Sequence, residues 1–236
     1  MCIKGVLFDV DETLVDSDGA VRVAIEGHLG ELGLPSGPAA LAQWQELEEM
    51  YFSRYLAGEL TFLQQRRERA RGMAGWPMND DEADEWLLGY VRRFESAWAP
   101  FPDVLGSVAG LDGLRLGVVT NTESWYQREK LRHVGLIDRF ECLIGTDTVG
   151  VPKPEPEIFH AGCDALGLDP AETMYVGDRL DVDALGARDA GLVGVWLDRS
   201  GGGGARSGVP VIGSLEELPP LLRAGGAVMP GRPGTS

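Results

Sequence analysis

Asp9, Asp11 and Thr13 follow directly on an apolar stretch, in the string Leu7-Phe8-Asp9-Val10-Asp11-Glu12-Thr13-Leu14. Acids at i and i+2 of an extended chain lie on the same side. In an open parallel sheet, ligands bind beyond the carboxyl ends of the strands, so this pair arrives where a substrate sits. Taken singly, such acids read equally well as residues that end a strand and cap a turn. Three further apolar runs end in polar groups. Thr120-Asn121 follows Leu116–Val119, Lys153-Pro154 lies in the loop after Cys142–Ile144, and Gly177-Asp178 follows Met174–Val176, with Asp183 closing a GDxxxxD string. Each alone has an ordinary explanation as a hydroxyl cap, a surface lysine or a tight turn. Together they bring carboxylate, hydroxyl, amide and ammonium groups to one edge of a sheet, as acid–base chemistry on a bound ligand requires. Lysine is rare in this chain, with only Lys4, Lys130 and Lys153, which sets Lys153 apart from an ordinary solvated side chain.

The elements that must position these groups are five short apolar runs, read as buried strands: Ile3–Phe8, Leu116–Val119, Cys142–Ile144, Met174–Val176 and Val193–Leu197. Helical patterns over Ser124–Val134, Pro156–Leu166 and Asp181–Ala190 alternate with them, each followed by a glycine stop at Gly135, Gly167 or Gly191. That alternation predicts an α/β fold with a doubly wound, mainly parallel, Rossmann-like sheet. Between the first two strands lie about a hundred residues without a strand signal, too many for a crossover loop. Residues 19–33, 38–57, 60–73 and 80–98 carry helical spacing, separated by Pro35/Gly37, Gly58 and Gly75/Pro77. The expected organisation is a core of residues 1–16 and 100–224, an inserted helical bundle at 17–99, and a flexible tail at 225–236. The Gly201–Gly204 run reads as a loop, and Ser214–Arg223 as a last short helix.

With 44% hydrophobic and 25% charged residues, the 236-residue chain has the balance of a globular protein. A formal charge of −16 repels phosphate backbones and anionic lipid at long range, so neither nucleic acid nor a membrane is an expected partner. The odd set Cys2, Cys142 and Cys163 has no CxxC spacing, which argues against a disulfide framework and for a reducing cytoplasm. No leader pattern and no long apolar run is present. His28, His133 and His160 fall in separate helical patterns without metal-ligand spacing.

The four strand-end groups, in this order, resemble the motifs of the haloacid dehalogenase (HAD) superfamily: DxDxT at Asp9, Asp11 and Thr13, a strand ending in Thr120-Asn121, KPxPEIF from Lys153 to Phe159, and GDxxxxD from Gly177 to Asp183. The Gly186–Gly191 run resembles that family's GAxxAG segment, and the likeness spans residues 3 to 197. It is strongest to phosphatase-type members with a helical C1 cap, the phosphoglycolate phosphatase-like HAD-IA subfamily. Glu12 departs from the commonest pattern, which has Gly or Asp there.

The resemblance implies a Mg2+-dependent phosphatase acting on a small phosphorylated metabolite. Asp9 is then the nucleophile that forms an aspartyl phosphate, and Asp11 the acid that protonates the leaving oxygen and later activates water. Mg2+ takes the Asp9 and Asp178 carboxylates and the Asp11 backbone carbonyl. Thr120, Asn121 and Lys153 hold the phosphate oxygens, while Thr13 and Asp183 support them from behind. Within the superfamily, Asp11 argues against a dehalogenase, and the absence of lysine from residues 17–99 argues against a Schiff-base phosphonatase. A sugar phosphomutase and a non-catalytic binding protein stay open as alternatives. Phosphoglycolate, sugar phosphates and nucleoside monophosphates are all compatible substrates, and a monomer or homodimer is expected.

Overall fold

The computed structural model describes residues 2–202 and 208–223. Gly203, Gly204 and the tail from Gly225 lie outside them, so the reading of those segments as flexible is not addressed. Six strands form one all-parallel sheet: β1 (Gly5–Phe8), β2 (Arg115–Val119), β3 (Cys142–Ile144), β4 (Thr173–Gly177), β5 (Val193–Leu197) and β6 (Val211–Ile212). Their order is β3-β2-β1-β4-β5-β6, the doubly wound arrangement whose direction of strand progression reverses at β1. β1 is therefore central and wholly buried. Its last residue, Phe8, pairs with Val118 on one side and Val176 on the other, so Asp9, Thr120 and Asp178 leave the sheet at one edge and nearly one level.

The chain divides into two compact units, one made of residues up to Val15 with those from Pro100 on, the other of Asp16–Ala99. The second contains α1 (Ser17–Glu31), α2 (Pro38–Leu56), α3 (Phe62–Ala74) and α4 (Asp80–Ser96). α3 and α4 each open on a capping box, Thr61 with Gln64 and Asn79 with Glu82, which satisfies otherwise orphaned amides. Trp44 is fully buried among these helices, with its indole Nε1 donating to the Tyr90 hydroxyl at 3.2 Å and the Arg69 guanidinium 4.4 Å from its ring.

The first unit carries α5 (Val104–Ala109), α6 (Ser124–His133), α7 (Thr146–Val149), α8 (Pro156–Leu166), α9 (Gly186–Asp189) and α10 (Leu218–Arg223). α8 starts on a proline and ends on Gly167 in the left-handed region, matching its sequence punctuation. Its Ile158, Phe159, Cys163 and Leu166 pack on Leu7, Val119, Ile144 and Tyr175 to form the core beneath the sheet edge.

Two helices differ from the sequence reading. The expected helix over Asp181–Ala190 opens as a π-helical turn, Leu180–Leu185, before α9 begins, because the Arg179 carbonyl accepts from both Asp183 and Ala184 amides. The segment expected to be one helix from Ser214 is a 3-10 turn at Leu215–Glu217 followed by α10. Strand β6 and the short α5 and α7 are additional, each too brief to carry a periodic signal.

The π-helical turn lies so close to β5 that a Cβ on Gly194 would stand 1.9 Å from the Ala184 carbonyl oxygen. Gly194→Ala must therefore push backbone against backbone. It is expected to cost at least about 2 kcal/mol of stability, read as a lowered midpoint in urea unfolding; an unchanged midpoint would show that the turn can withdraw.

Candidate active site

Lys153 reaches up from the loop before α8 with 4% of its surface exposed, and its ammonium donates to Asp9 Oδ1 at 2.7 Å, Asp183 Oδ1 at 2.7 Å and the Tyr175 hydroxyl at 2.8 Å. Tyr175 passes its own proton to the Val119 carbonyl at 2.8 Å. All three donors of the lysine are thus used inside the protein, the condition under which a buried charge is tolerated.

Asn121 holds the backbone that carries this lysine. Its Oδ1 accepts from the Lys153 amide at 2.6 Å and its Nδ2 donates to the Lys153 carbonyl at 3.0 Å. The side chain read as a phosphate contact is engaged in gripping the neighbouring loop. Asp183 accepts the Arg179 amide on Oδ2 at 3.0 Å, across from the lysine on Oδ1. A Cβ on Gly177 would meet this carboxylate at 2.4 Å, so the glycine of the GDxxxxD string makes room for Asp183. The Trp196 indole on β5 donates to the Asp178 carbonyl at 2.8 Å and pins the loop from the other side.

Asp9, Asp178 and Asp183 each offer a carboxylate oxygen, all within 4.8 Å of one another. With Lys153 among them, three acids face one ammonium. Burial first, and then the charges of Asp183, Asp178 and Asp11 against the opposing effect of Lys153, push the Asp9 carboxyl up to about 8. For Lys153, burial alone lowers the pKa, but Asp183 and Asp9 outweigh it and hold the amine above the ordinary lysine value. An excess of buried negative charge carried on hard oxygen donors fits a divalent cation such as Mg2+.

Asp11 stands beside this cluster, with Oδ2 accepting from Gln127 Nε2 at 2.6 Å and Oδ1 paired with the Lys130 ammonium. The same Gln127 nitrogen lies 3.3 Å from Thr120 Oγ1. Thr13 is fully buried, and its hydroxyl has no hydrogen-bond partner among the described residues. Its carbonyl accepts from Arg199 Nη2 at 2.8 Å, and the Glu12 carbonyl accepts from Arg199 Nε at 3.3 Å. Glu12 has φ of 58°, the left-handed conformation that glycine adopts without cost, which accounts for the glycine common at this position in the resembling motif and means that Glu12 is held there against its own preference. The Arg199 guanidinium also spans both carboxylate oxygens of Asp103, at 3.1 and 3.0 Å, and stacks 3.9 Å above the Phe101 ring.

The sequence reading therefore named the groups that meet here, and missed Tyr175, Gln127, Lys130 and Arg199. A signal for Lys130 was present, since the scarcity of lysine that singled out Lys153 applies equally to it. Tyr175 reads as core within a strand, and nothing local marks Arg199.

A family profile described as haloacid dehalogenase-like hydrolase matches residues 3–191. A glyceraldehyde 3-phosphate phosphatase of Methanopyrus kandleri is 34% identical over 206 residues, covering 84% of this chain and 84% of that protein. A phosphoglycolate phosphatase of Yersinia pseudotuberculosis is 31% identical over 201 residues, covering 83% of this chain and 81% of the relative. Among solved structures, the HAD-hydrolase YfnB from Bacillus subtilis superposes with a TM-score of 0.82 at 23% identity, covering 94% of this chain and 100% of that one, a likeness of fold.

Burial, followed by the Asp183 charge, pushes the Asp178 carboxyl up to about 7. In the unfolded chain it ionises at about 4, so its ionisation lowers stability progressively between about pH 4 and pH 7 and by a constant amount above that. In chelator-treated protein, Asp178→Asn should raise the melting temperature near pH 8, with the gain shrinking towards pH 4. A gain that does not vary with pH, or a loss near pH 8, contradicts the charge excess.

Proposed function

The chain belongs to the haloacid dehalogenase-like hydrolase family, and from that membership we propose that it is a Mg2+-dependent phosphatase that hydrolyses a small phosphate monoester through an aspartyl phosphate on Asp9. The observation that carries this reading is the cluster itself: a buried carboxylate at the end of the central strand, held at 2.7 Å by an ammonium whose other partners are also buried. A phosphate ester dianion repels nucleophiles, so hydrolysis needs compensating positive charge, alignment and a reaction path divided in two.

Asp9 and Asp178, with the backbone carbonyl of Asp11, would hold the Mg2+, whose charge offsets that of the phosphate when bound. In the first step an Asp9 oxygen bonds to phosphorus, the ester P–O bond breaks, and the departing oxygen takes a proton from Asp11. In the second, Asp11 takes a proton from water as the water oxygen bonds to phosphorus, and the Asp9–phosphorus bond breaks to release inorganic phosphate. The Lys153 ammonium lies beside Asp9, where its charge would offset charge that builds during transfer, and the Thr120 hydroxyl would take a phosphate oxygen. Asp183 keeps Lys153 in place beside Asp9. Relatives named for glyceraldehyde 3-phosphate and phosphoglycolate point to short, anionic carbon phosphates as the substrate class. No helix among the described residues is long and apolar enough to cross a membrane.

The test is release of inorganic phosphate from a panel containing phosphoglycolate, phosphoserine, glyceraldehyde 3-phosphate, sugar phosphates and nucleoside monophosphates, with Mg2+ and after chelation. Release should require Mg2+, return when it is restored, and fall at least about 10³-fold in Asp9→Asn with the fold unchanged by circular dichroism. Undiminished turnover in Asp9→Asn sinks the nucleophile assignment. Glucose 1-phosphate isomerised without phosphate release would make the protein a mutase.

A further inference from the structure

α6 begins immediately after the Thr120-Asn121 strand end and turns one face, carrying Gln127 and Lys130 at i and i+3, towards the site. Both side chains are buried, Gln127 with 0% and Lys130 with 2% of its surface exposed. A buried lysine is costly unless its charge is met, and here the ammonium is paired with Asp11 Oδ1. The other oxygen of that carboxylate accepts from Gln127 at 2.6 Å, so both oxygens are gripped from the side of α6. Yet the Asp11 side chain keeps 36% of its surface exposed, against 3% for Lys130. The carboxylate is anchored from beneath and open above. Its second grip is shared, since the Gln127 nitrogen is also 3.3 Å from Thr120 Oγ1.

We propose that Gln127 and Lys130 are positioning residues of the hydrolysis: one helix face fixes the orientation of the Asp11 carboxylate and ties it to the Thr120 hydroxyl, setting the acid/base and the phosphate-holding group at a constant separation. This rests on the phosphatase reading and names two residues that the reading does not require. Displacing a reacting group by about 1 Å costs on the order of 100-fold in rate, so loss of either grip should appear in kcat, with KM nearly unchanged on an ester for which both steps need Asp11.

Two esters separate this role from a general loss of structure. An alkyl phosphate, whichever ester of the panel above the parent protein cleaves fastest, needs a proton on its leaving oxygen. p-Nitrophenyl phosphate releases an anion that is stable without one, and needs Asp11 only when water attacks the aspartyl phosphate. Lys130→Met and Gln127→Leu should each lower kcat on the alkyl ester at least about 10-fold. On p-nitrophenyl phosphate they should release a first equivalent of nitrophenolate at nearly the parental rate and then turn over slowly. Lys130→Arg, which keeps the charge and the donors, should restore most of the rate. Parental kcat in both Lys130→Met and Gln127→Leu, or equal losses on both esters with no burst and no recovery in Lys130→Arg, overturns the proposal. Circular dichroism identifies a variant that fails to fold, in which case the other variant decides. If the parent cleaves neither ester, the phosphatase reading falls and this proposal with it; an active parent with unaffected variants removes this proposal alone.

Discussion

The ammonium of Lys153, sealed beneath the sheet edge among Asp9, Asp183 and Tyr175, is the interaction on which the rest of the site depends. A charge this deep survives only when each of its protons has an acceptor, and the acceptors come from the end of β1, from within β4 and from the π-helical turn. Meeting that demand fixes the loop before α8 against β1, β4 and the π-helical turn. Asn121 adds a two-point grip on the lysine's own peptide, so the strand that ends in Thr120 is bound to the same centre. One cation thereby aligns elements widely separated in sequence. Because the acids around it outnumber it, the arrangement also leaves a place for a second positive charge.

A different constraint governs the turn after β1. Glu12 occupies backbone space that a side chain enters at a cost of about 1–3 kcal/mol, and such a conformation persists only where its surroundings enforce it. Arg199 does so from just beyond the end of β5, donating to the consecutive carbonyls of Glu12 and Thr13 while Asp103 and the Phe101 ring hold its guanidinium flat. The planar fork of arginine suits this task, since a lysine offers no rigid pair of donors. The acid at Asp11 thus has a turn held firm on one side of it and the α6 face on the other.

Much of the fold could be read from the chain because its strands are short apolar runs punctuated by glycine and polar groups, and because their ends carry the reactive side chains. Asp9, Thr120, Lys153 and Asp178 were visible for that reason. What escaped depended on geometry across the sheet. Tyr175 looks like any core aromatic, and only the pairing of β1 with β4 gives its hydroxyl a lysine to meet. Gln127 and Lys130 sit on a helix that buries them beside Tyr126 and Leu131, so two polar residues occupy places where the usual pattern has apolar ones. The π-helical turn keeps the composition of a helix while shifting its register, so periodicity alone reads straight through it. Asn121 was recognised as part of the site, but the two-point grip of its side chain on Lys153 could not be foreseen without knowing how near that loop would come.

At the edge of the core unit, Val15 and Pro100 form an antiparallel bridge, and the Phe101 amide donates to the Leu14 carbonyl at 3.2 Å. The chain therefore departs and returns side by side, and the sheet is complete without anything that residues 16–99 contribute to its hydrogen bonding. A segment whose two ends meet in this way can be lengthened, shortened or exchanged during descent with little penalty to the surrounding fold. The two stretches of the gene are then free to change at different rates: one is bound to preserve the charged centre, while the other can vary in length and sequence without disturbing it.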